Sequence, residues 1–377
     1  MQVPAYLVLD RESAVAAFLA RLRSEKVLAI DLEADSLHSY REQVCLMQIS
    51  TASQNVILDP LAVPEALAGL GPALADPAVR KVFHGGDYDV RLLKRQAGLE
   101  VSNLFDTMIA AQFTGRERFG LAALLEEQFG VRLDKRFQRA DRSRRPLGPD
   151  LLAYAAADTA HLLALADRLA GELAGLGRLG WAEEEFRLLE QIEPAPPKKP
   201  WCLDVKGVSR LAPRQLARLQ ELLELRDDLA RVWNRPAFKV LSNQILIDWA
   251  LAPPASRHEV VAWPGAGGAL LERVADRVLE ALARAEALAE EECPRPQPTA
   301  RVVPTPAQER LLARLKAVRE EAARRLKLAP GLVVNGATLE KLSRAEPGEA
   351  IAALPGALKR WQREVLGEAL ERVLAAP

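Results

Sequence analysis

Residues 27–33 read Val-Leu-Ala-Ile-Asp-Leu-Glu, an apolar run that ends in two acids separated by a leucine. A short apolar run of this kind predicts a buried β-strand. Side chains two residues apart project from the same face of a strand, so Asp31 and Glu33 would stand side by side. Two partly buried carboxylates at that distance repel each other, and a divalent cation is their natural partner. The segment therefore predicts a strand that carries a candidate metal site.

Three further strand patterns follow this segment. Residues 44–49 and 55–58 are apolar, and their connections are short enough for an antiparallel meander. Residues 81–84 form a fourth pattern, which Gly85-Gly86 breaks. Strand patterns that alternate with helical ones predict a mixed α/β domain in the first half of the chain.

A third acid follows the two glycines. Asp87 is a suitable N-cap for a helix that runs to Gly98. Asp89 then lies in the first turn, where the backbone N–H groups favour negative charge. Asp87 is a rival of Asp89 for a functional role, as Asp35 is of Glu33.

An apolar, alanine-rich pattern predicts one long helix from residue 150 to about residue 174. In this helix Tyr154 and Asp158 are spaced i, i+4, so the phenol and the carboxylate share one face with only alanines between them. Such a face can approach a substrate closely. Taken alone, each acid also fits a structural role without catalytic function, as a solvated strand end, a helix-start acid or a salt-bridge partner.

The second half of the chain is helical in pattern and is interrupted by prolines. Proline-rich stretches predict linkers at residues 194–204 and 293–304, because proline disrupts helices and central strands. The linkers bound two predicted all-α segments, residues 205–292 and 305–377. Both segments have a charged amphipathic helix, a loop, short helices and a final helix in the same order. A duplicated module and a chance likeness are equally open at this point.

The charge of the 377 residues is zero overall but differs between the two halves. Residues 1–195 carry 22 Lys and Arg against 28 Asp and Glu, whereas residues 196–377 carry 29 against 23. An acidic front half could hold cations and a basic rear half could hold phosphates. The same difference is compatible with an ordinary solvated surface.

Composition excludes several classes of protein. Hydrophobic residues make up 49% and charged residues 27%, the mix of a globular chain. Cys45, Cys202 and Cys293 form no CxxC pair, so neither a zinc cluster nor a disulfide framework is indicated. No window approaches the ~20 apolar residues of a membrane span, and residues 1–4 lack the features of a signal peptide. We expect a cytoplasmic protein without a membrane partner or an obligate protein partner.

Three segments together resemble the motifs of a known family. Ile-Asp-Leu-Glu, His-Gly-Gly-Asp-Tyr-Asp-Val and Tyr-Ala-Ala-Ala-Asp, in this order, resemble the three exonuclease motifs of the tyrosine-containing branch of the DEDD superfamily. Within that branch, the segments between the motifs look like ribonuclease D and the related nuclear-exosome exonuclease: residues 46–49, 104–107, 133–135 and 145–147. The two helical segments resemble helicase-and-RNase-D C-terminal (HRDC) domains, of which ribonuclease D carries two. This resemblance favours the view that the two helical segments are copies of one duplicated module.

The resemblance implies a fold and an activity. Residues 1–193 would form a ribonuclease H-like α/β exonuclease domain, with a mixed sheet of five to six strands flanked by helices. Two small all-α HRDC-like domains would follow it. The implied activity is 3′-to-5′ exoribonuclease, which releases nucleoside 5′-monophosphates from RNA 3′ ends such as those of tRNA precursors.

The resemblance also implies roles for five catalytic residues. Asp31, Glu33 and Asp158 would ligate one Mg²⁺ or Mn²⁺ ion. Asp31 would bridge to a second ion, held by Asp89 partly through water. Tyr154 would orient the attacking water. Two ions are consistent with in-line phosphoryl displacement, and hard oxygen ligands suit Mg²⁺ or Mn²⁺.

Candidate substrate contacts are basic. Residues 132–145 hold seven basic residues against two acids and could grip phosphates, with a solvated loop as the alternative. His84 ends the fourth strand pattern, and its alternative role is a structural hydrogen bond rather than a substrate contact. Arg142 stands where the family often has Trp, and residues 34–41 are closer to the exosome relative than to bacterial ribonuclease D. The candidate contacts are His84, Lys135, Arg136, Arg139, Arg145 and His161.

Two other functions remain open from the residues alone. A DNA 3′-to-5′ exonuclease would use the same five catalytic residues and would bind single-stranded DNA. An inactive nucleic-acid-binding scaffold would tolerate the loss of Asp31 or Asp158. A two-metal enzyme would instead lose activity by orders of magnitude.

Overall fold

The computed structural model describes residues 5–133, 136–137, 140–196, 198–265, 267–296 and 303–376. The chain divides into two compact units, and neither is continuous in sequence. Unit 1 consists of Met1–Ala34, Val44–Pro194 and Val302–Pro377. Unit 2 consists of Asp35–Gln43 and Ala195–Arg301.

Unit 1 contains a six-stranded mixed sheet in the order β1-β4-β3-β2-β5-β6. The pairs β2–β3 and β3–β4 are antiparallel, and the other pairs are parallel. The predicted mixed sheet and its central meander are confirmed, whereas the two edge strands β1 and β6 were not found from the sequence. The strands are β1 (Tyr6–Leu9), β2 (Val27–Ala34), β3 (Val44–Ser50), β4 (Asn55–Leu58), β5 (Arg80–Phe83) and β6 (Leu104–Asp106).

Eight helices accompany the sheet in the first half of the chain. As predicted, the third ends at Gly98, which adopts φ +63°, a conformation that glycine accepts without strain. Its N-cap is Gly86 rather than the predicted Asp87. The helices are α1 (Glu12–Leu22), α2 (Glu65–Ala75), α3 (Asp87–Ala97), α4 (Thr107–Phe113), α5 (Leu121–Phe129), α6 (Pro149–Thr159), α7 (Leu162–Gly175) and α8 (Leu179–Glu190).

The predicted single helix over residues 150–174 is wrong, because α6 and α7 are separate helices. The segment contains no proline, and its one glycine lies near the end of α7, so the sequence carries no signal of a break. Tertiary contacts decide it. Helix α6 lies on β2, β3 and β4, whereas α7 contacts β2 and β5 and packs mainly on α4. His161 is the N-cap residue of α7, and its ring stacks on Phe129.

Unit 2 is a helical cluster around buried residues such as Leu222, Trp249 and Val278. The hydroxyl of Tyr40 donates a 2.8 Å hydrogen bond to Asp227, so the segment between β2 and β3 belongs to this unit. The helices are α9 (Pro213–Trp233), α10 (Ala237–Val240), α11 (Asn243–Leu251), α12 (Arg257–Val261) and α13 (Gly268–Ala287), preceded by two short 3₁₀ turns.

The last five helices return to unit 1, and their apolar side chains join the core that contains the sheet. Trp361 packs against Phe113 and Trp181, with ring centroids 5.1 and 5.4 Å away. The Glu184 carboxylate accepts hydrogen bonds from two backbone N–H groups at the start of the final helix. The helices are α14 (Pro306–Leu326), α15 (Pro330–Val333), α16 (Gly336–Arg344), α17 (Pro347–Ala357) and α18 (Arg360–Ala375).

The domain limits expected from the sequence stay predictions. Among the described residues, no helix has the length and apolar character needed to cross a bilayer.

Candidate active site

Asp31 and Glu33 lie on β2, in the middle of the sheet. Asp31 is paired with Gln48 of β3, and Glu33 with Leu46. Cross-strand partners project from the same face, so the Gln48 side chain stands beside Asp31. Gln48 is fully buried, and within the described part of the chain neither atom of its side-chain amide has a hydrogen-bond partner.

Asp89 projects from the first turn of α3 and is buried. The two glycines before the helix are needed for this placement. Gly85 has φ +69°, and a Cβ on Gly86 would lie 2.8 Å from that of Phe83. The buried carboxylate of Asp106 holds this turn, because it accepts hydrogen bonds from the N–H groups of Gly85 (3.1 Å) and Gly86 (2.7 Å).

Tyr154 and Asp158 lie on α6, one turn apart. The small side chains of Ala155 and Ala156 are buried against Leu46 and Ile57, so the helix approaches the sheet closely. At its end, the Ser50 hydroxyl of β3 donates a 2.7 Å hydrogen bond to Thr159 Oγ1. This contact fixes the helix beside the strand that pairs with β2.

The four acids influence one another electrostatically. Burial raises the pKa of Asp31 well above its usual value, and repulsion from Asp89, Asp158 and Glu33 raises it further. Burial, with repulsion from Asp106 and Glu33, raises the pKa of Asp89 to about 8. Burial and the charge of Glu33 raise the pKa of Asp158 to about 7. We call Asp31, Glu33, Asp89 and Asp158 the carboxylate cluster.

The phenol of Tyr154 borders the carboxylate cluster. Burial raises its pKa, and the negative charges of Asp158 and Glu33 raise it further. The phenol therefore keeps its proton at neutral pH, and its hydroxyl is available to donate a hydrogen bond. Its ring centroid lies 6.1 Å from that of Phe137.

A buried cation also belongs to the site. The side chain of Arg142 is 5% exposed, and its Nη2 donates a 2.8 Å hydrogen bond to Glu33 Oε1. The guanidinium opposes the rise of the pKa of Glu33, which burial causes. Sequence reasoning noted the unusual residue type but missed this ion pair, since 109 residues separate the two partners.

The donor set fits hard divalent cations. Four carboxylates supply only oxygen ligands, and their mutual repulsion favours a positive charge between them. The unpartnered amide of buried Gln48 offers a further polar contact beside Asp31. Among the described residues, no three acidic, histidine or cysteine side chains already stand where they could hold a metal ion together. In this arrangement Glu33 is turned towards Arg142.

The rival acids have other partners. Asp35 is fully buried and closes its own loop by accepting hydrogen bonds from Ser39 and from the backbone N–H of Gln43 (2.8 Å). Asp87 is exposed and pairs with Arg91 one turn later, at 2.9 Å. Neither carboxylate belongs to the carboxylate cluster.

Two of the predicted substrate contacts are engaged within the protein. His84 Nδ1 lies 2.9 Å from Thr107 Oγ1, and burial lowers the pKa of the imidazole. Arg145 binds the buried Asp59 carboxylate through two contacts of 2.6 Å and also donates to the carbonyl of Cys45. The two side chains thus support the loops around the site.

The other predicted contacts lie beside aromatic rings or outside the described residues. The ring of His161 lies 5.8 Å from that of Phe129. Arg136 lies beside the ring of Phe137. Lys135 and Arg139 lie outside the described residues.

Comparisons with known proteins place the chain in a family. The profile of the family described as "3'-5' exonuclease" matches residues 6–174, and that of the HRDC domain matches residues 215–282 and 308–370. Ribonuclease D of Granulibacter bethesdensis is 31% identical over 380 residues, covering 97% of this chain and 91% of that protein.

Solved structures point the same way. Escherichia coli RNase D, described as an exoribonuclease involved in structured RNA processing, has a TM-score of 0.74 at 26% identity and covers 98% of both chains. The catalytic core of RRP6 from Trypanosoma brucei has a TM-score of 0.68 at 31% identity, with 76% of this chain and 84% of that chain covered.

Proposed function

Because this chain belongs to the ribonuclease D family and is a 3′-to-5′ exoribonuclease, we propose that it uses the carboxylate cluster to bind two divalent cations, Mg²⁺ or Mn²⁺. The observation that carries the proposal is the convergence of four carboxylates: Asp31, Glu33, Asp89 and Asp158. Burial raises the pKa values of Asp31, Asp89 and Asp158, and repulsion between the carboxylates raises them further. A cluster of this charge without cations is costly.

Each side chain has a role in the proposed hydrolysis. Asp31, Glu33 and Asp158 would hold one cation, and Asp31 and Asp89 the other. When bound, the cations would stabilise negative charge on the attacking and leaving oxygens. Tyr154 would donate its phenolic proton in a hydrogen bond that orients the attacking water. Water would attack phosphorus and lose a proton to solvent, the bond from phosphorus to the 3′ oxygen of the preceding nucleotide would break, that oxygen would take up a proton, and a nucleoside 5′-monophosphate would leave.

We propose that the substrate is the 3′ end of structured RNA, including tRNA precursors. Support comes from the relatives, whose names refer to ribonucleases and to structured RNA processing. The same names do not favour the DNA exonuclease that the catalytic residues alone left open. A cytoplasmic site of action fits this substrate.

Unit 2 offers a surface for the RNA backbone. Arg235, Lys239 and Arg273 line a cavity of about 410 Å³ beside Trp233, and the Arg273 guanidinium lies 4.7 Å from the indole centroid. All three cations are exposed. Cations interleaved with an aromatic ring suit phosphates and stacked bases. We call these four residues the basic cavity and propose that it holds RNA upstream of the reacting 3′ end.

The test is digestion of matched 5′-labelled RNA and DNA oligonucleotides with Mg²⁺, Mn²⁺ or EDTA, beside an Asp158→Asn variant. We expect a ladder that shortens from the 3′ end of RNA and is absent with EDTA and with the variant. Asp87→Asn is the matched control, because Asp87 is a solvent-exposed acid. Preference for DNA, or cleavage that survives EDTA, would contradict the proposal.

A further inference from the structure

Arg142 places one permanent positive charge at the carboxylate cluster. Its side chain is 5% exposed, that of its partner Glu33 is 16% exposed, and the two are joined at 2.8 Å. Its Cζ lies 6.0 Å from the ring centroid of Tyr154. The guanidinium and the first proposed cation therefore share a ligand, the Glu33 carboxylate.

The loop that carries Arg142 is held in place. Nη1 of Arg142 donates a 2.9 Å hydrogen bond to the carbonyl of Ala140. Arg145, clamped on buried Asp59, donates a 2.7 Å hydrogen bond to the Arg142 carbonyl. Both the backbone and the guanidinium are thus fixed by contacts other than the ion pair. The position is built into the fold and does not arise from a surface side chain that happens to lie near an acid.

A guanidinium and a divalent cation oppose each other at one carboxylate. Glu33 can neutralise Arg142 or ligate the cation, and two positive charges that bind the same carboxylate would repel each other. We propose that Arg142 is an internal counter-ion that holds Glu33 in the metal-free protein and competes with the first cation for it. This inference rests on the proposed metal site. It makes Arg142 a positioning residue that sets how much free metal the enzyme needs.

The direct test is Mn²⁺ binding without RNA, measured by calorimetry and by the electron paramagnetic resonance signal of free Mn²⁺. An opposite charge this close alters the proton affinity of a carboxylate by about ten- to a thousandfold, so we expect Arg142→Gln to bind the first Mn²⁺ at least about tenfold more tightly than wild type. Arg142→Lys keeps the charge and should stay near wild type. Arg144→Gln removes an exposed guanidinium from the same loop and should change nothing.

A second measurement separates competition from a general change of the fold. In EDTA, Arg142→Gln should melt below wild type, since the carboxylate cluster loses its counter-ion. Added Mn²⁺ should narrow that gap, because a ligand stabilises more strongly the protein that binds it more tightly. In a Glu33→Gln background, Arg142→Gln should affect Mn²⁺ affinity much less, as the shared ligand is gone.

Several outcomes would overturn the inference. Mn²⁺ affinity of Arg142→Gln equal to or weaker than wild type would do so, as would an equal gain in the Glu33→Gln background. If Arg142→Gln does not fold, a wild-type Mn²⁺ affinity in Arg142→Lys supports a role of charge, and a tighter affinity there speaks against it. If the wild type itself binds no Mn²⁺ while it degrades RNA, the proposed metal site fails first and Arg142 loses this role with it.

Discussion

Asp106 accepts a 2.7 Å hydrogen bond from the backbone N–H of Gly86, which links the end of β6 to the turn that starts α3. The same carboxylate accepts from Met108 and Ile109 and so caps α4. One fully buried acid therefore positions both α3, which carries Asp89, and α4.

Replacing Asp106 by alanine should affect stability and activity together. Several backbone N–H groups would lose their acceptor, and each unsatisfied buried group costs about 1–3 kcal/mol. We expect a lower free energy of unfolding in urea and at least about a tenfold loss of RNA hydrolysis, because Asp89 loses its position. Asp10→Ala, which removes an exposed acid with only a 3.6 Å contact to exposed Arg11, is the control. Full activity in a destabilised Asp106→Ala protein would separate Asp106 from the site.

The Tyr154→Phe variant isolates the phenolic hydroxyl. The ring contact with Phe137 and the packing of α6 are kept. Misplacing a reacting group by about 1 Å can cost about 10²-fold, so we expect the single-turnover rate to fall by about a hundredfold while RNA affinity stays the same. The reaction should be followed at saturating RNA and metal. An unchanged rate would remove the hydroxyl from the mechanism.

Stability should depend on pH when metal is removed. Burial chiefly raises the pKa of Asp89 to about 8 and of Asp158 to about 7, above the values near 4 of an unfolded chain. Between about pH 4 and pH 8 the folded protein then holds more protons than the unfolded chain, so these two groups lower the free energy of unfolding as pH rises.

The measurement is the melting temperature in EDTA from pH 5 to pH 8.5, compared between wild type and Asp158→Asn. Wild type should lose more stability than the variant across this range. Saturating Mg²⁺ should reduce the difference, because bound cations favour the charged carboxylates. Parallel curves for the two proteins in EDTA would show that Asp158 is not perturbed.

Trp361 should be essential for the stability of unit 1. It is 1% exposed and is packed between Phe113 and Trp181. Removal of a buried aromatic side chain lowers the free energy of unfolding by about 3–5 kcal/mol. Trp361→Ala should therefore unfold at a clearly lower urea concentration than wild type and lose activity at elevated temperature. Trp201→Ala removes a partly exposed indole from unit 2 and should have little effect. Equal urea midpoints for the two variants would contradict the claim that Trp361 is part of the core of unit 1.

The basic cavity should affect RNA affinity without affecting the chemistry. In the triple variant Arg235→Gln, Lys239→Gln and Arg273→Gln, we expect weaker binding of long RNA. The slope of log K against log salt should become shallower by about 2, because each phosphate of a single strand that a cation neutralises contributes about 0.7 to it. Hydrolysis of a trinucleotide should remain unchanged. An unchanged affinity and salt slope for long RNA would remove the basic cavity from substrate binding.

Local pattern was sufficient for the central elements of the site. The period-two spacing of Asp31 and Glu33 fixed their common face, and the i, i+4 spacing of Tyr154 and Asp158 required only that the segment be helical, which it is. The meander was predictable because its connections are short. These inferences needed no knowledge of contacts between distant residues.

The remaining features depend on such contacts. The edge strands β1 and β6 are only four and three residues long, too short to show a period. The break between α6 and α7 follows from what each helix packs against, and the ion pair of Arg142 with Glu33 joins distant segments. Nothing in the residue types of the last five helices indicates that they join the hydrophobic core of unit 1.

That shared core affects the order in which a newly made chain can fold. Synthesis proceeds from the N-terminus, and domains generally fold as they emerge from the ribosome. The apolar surface around Phe113 and Trp181 stays uncovered until the helix that carries Trp361 has been made. All described residues of unit 2 precede residue 302, so unit 2 can close while unit 1 is still open. Loss of the final helix by premature termination would therefore leave the carboxylate cluster on a protein whose exposed apolar surface is a target of chaperones and proteases.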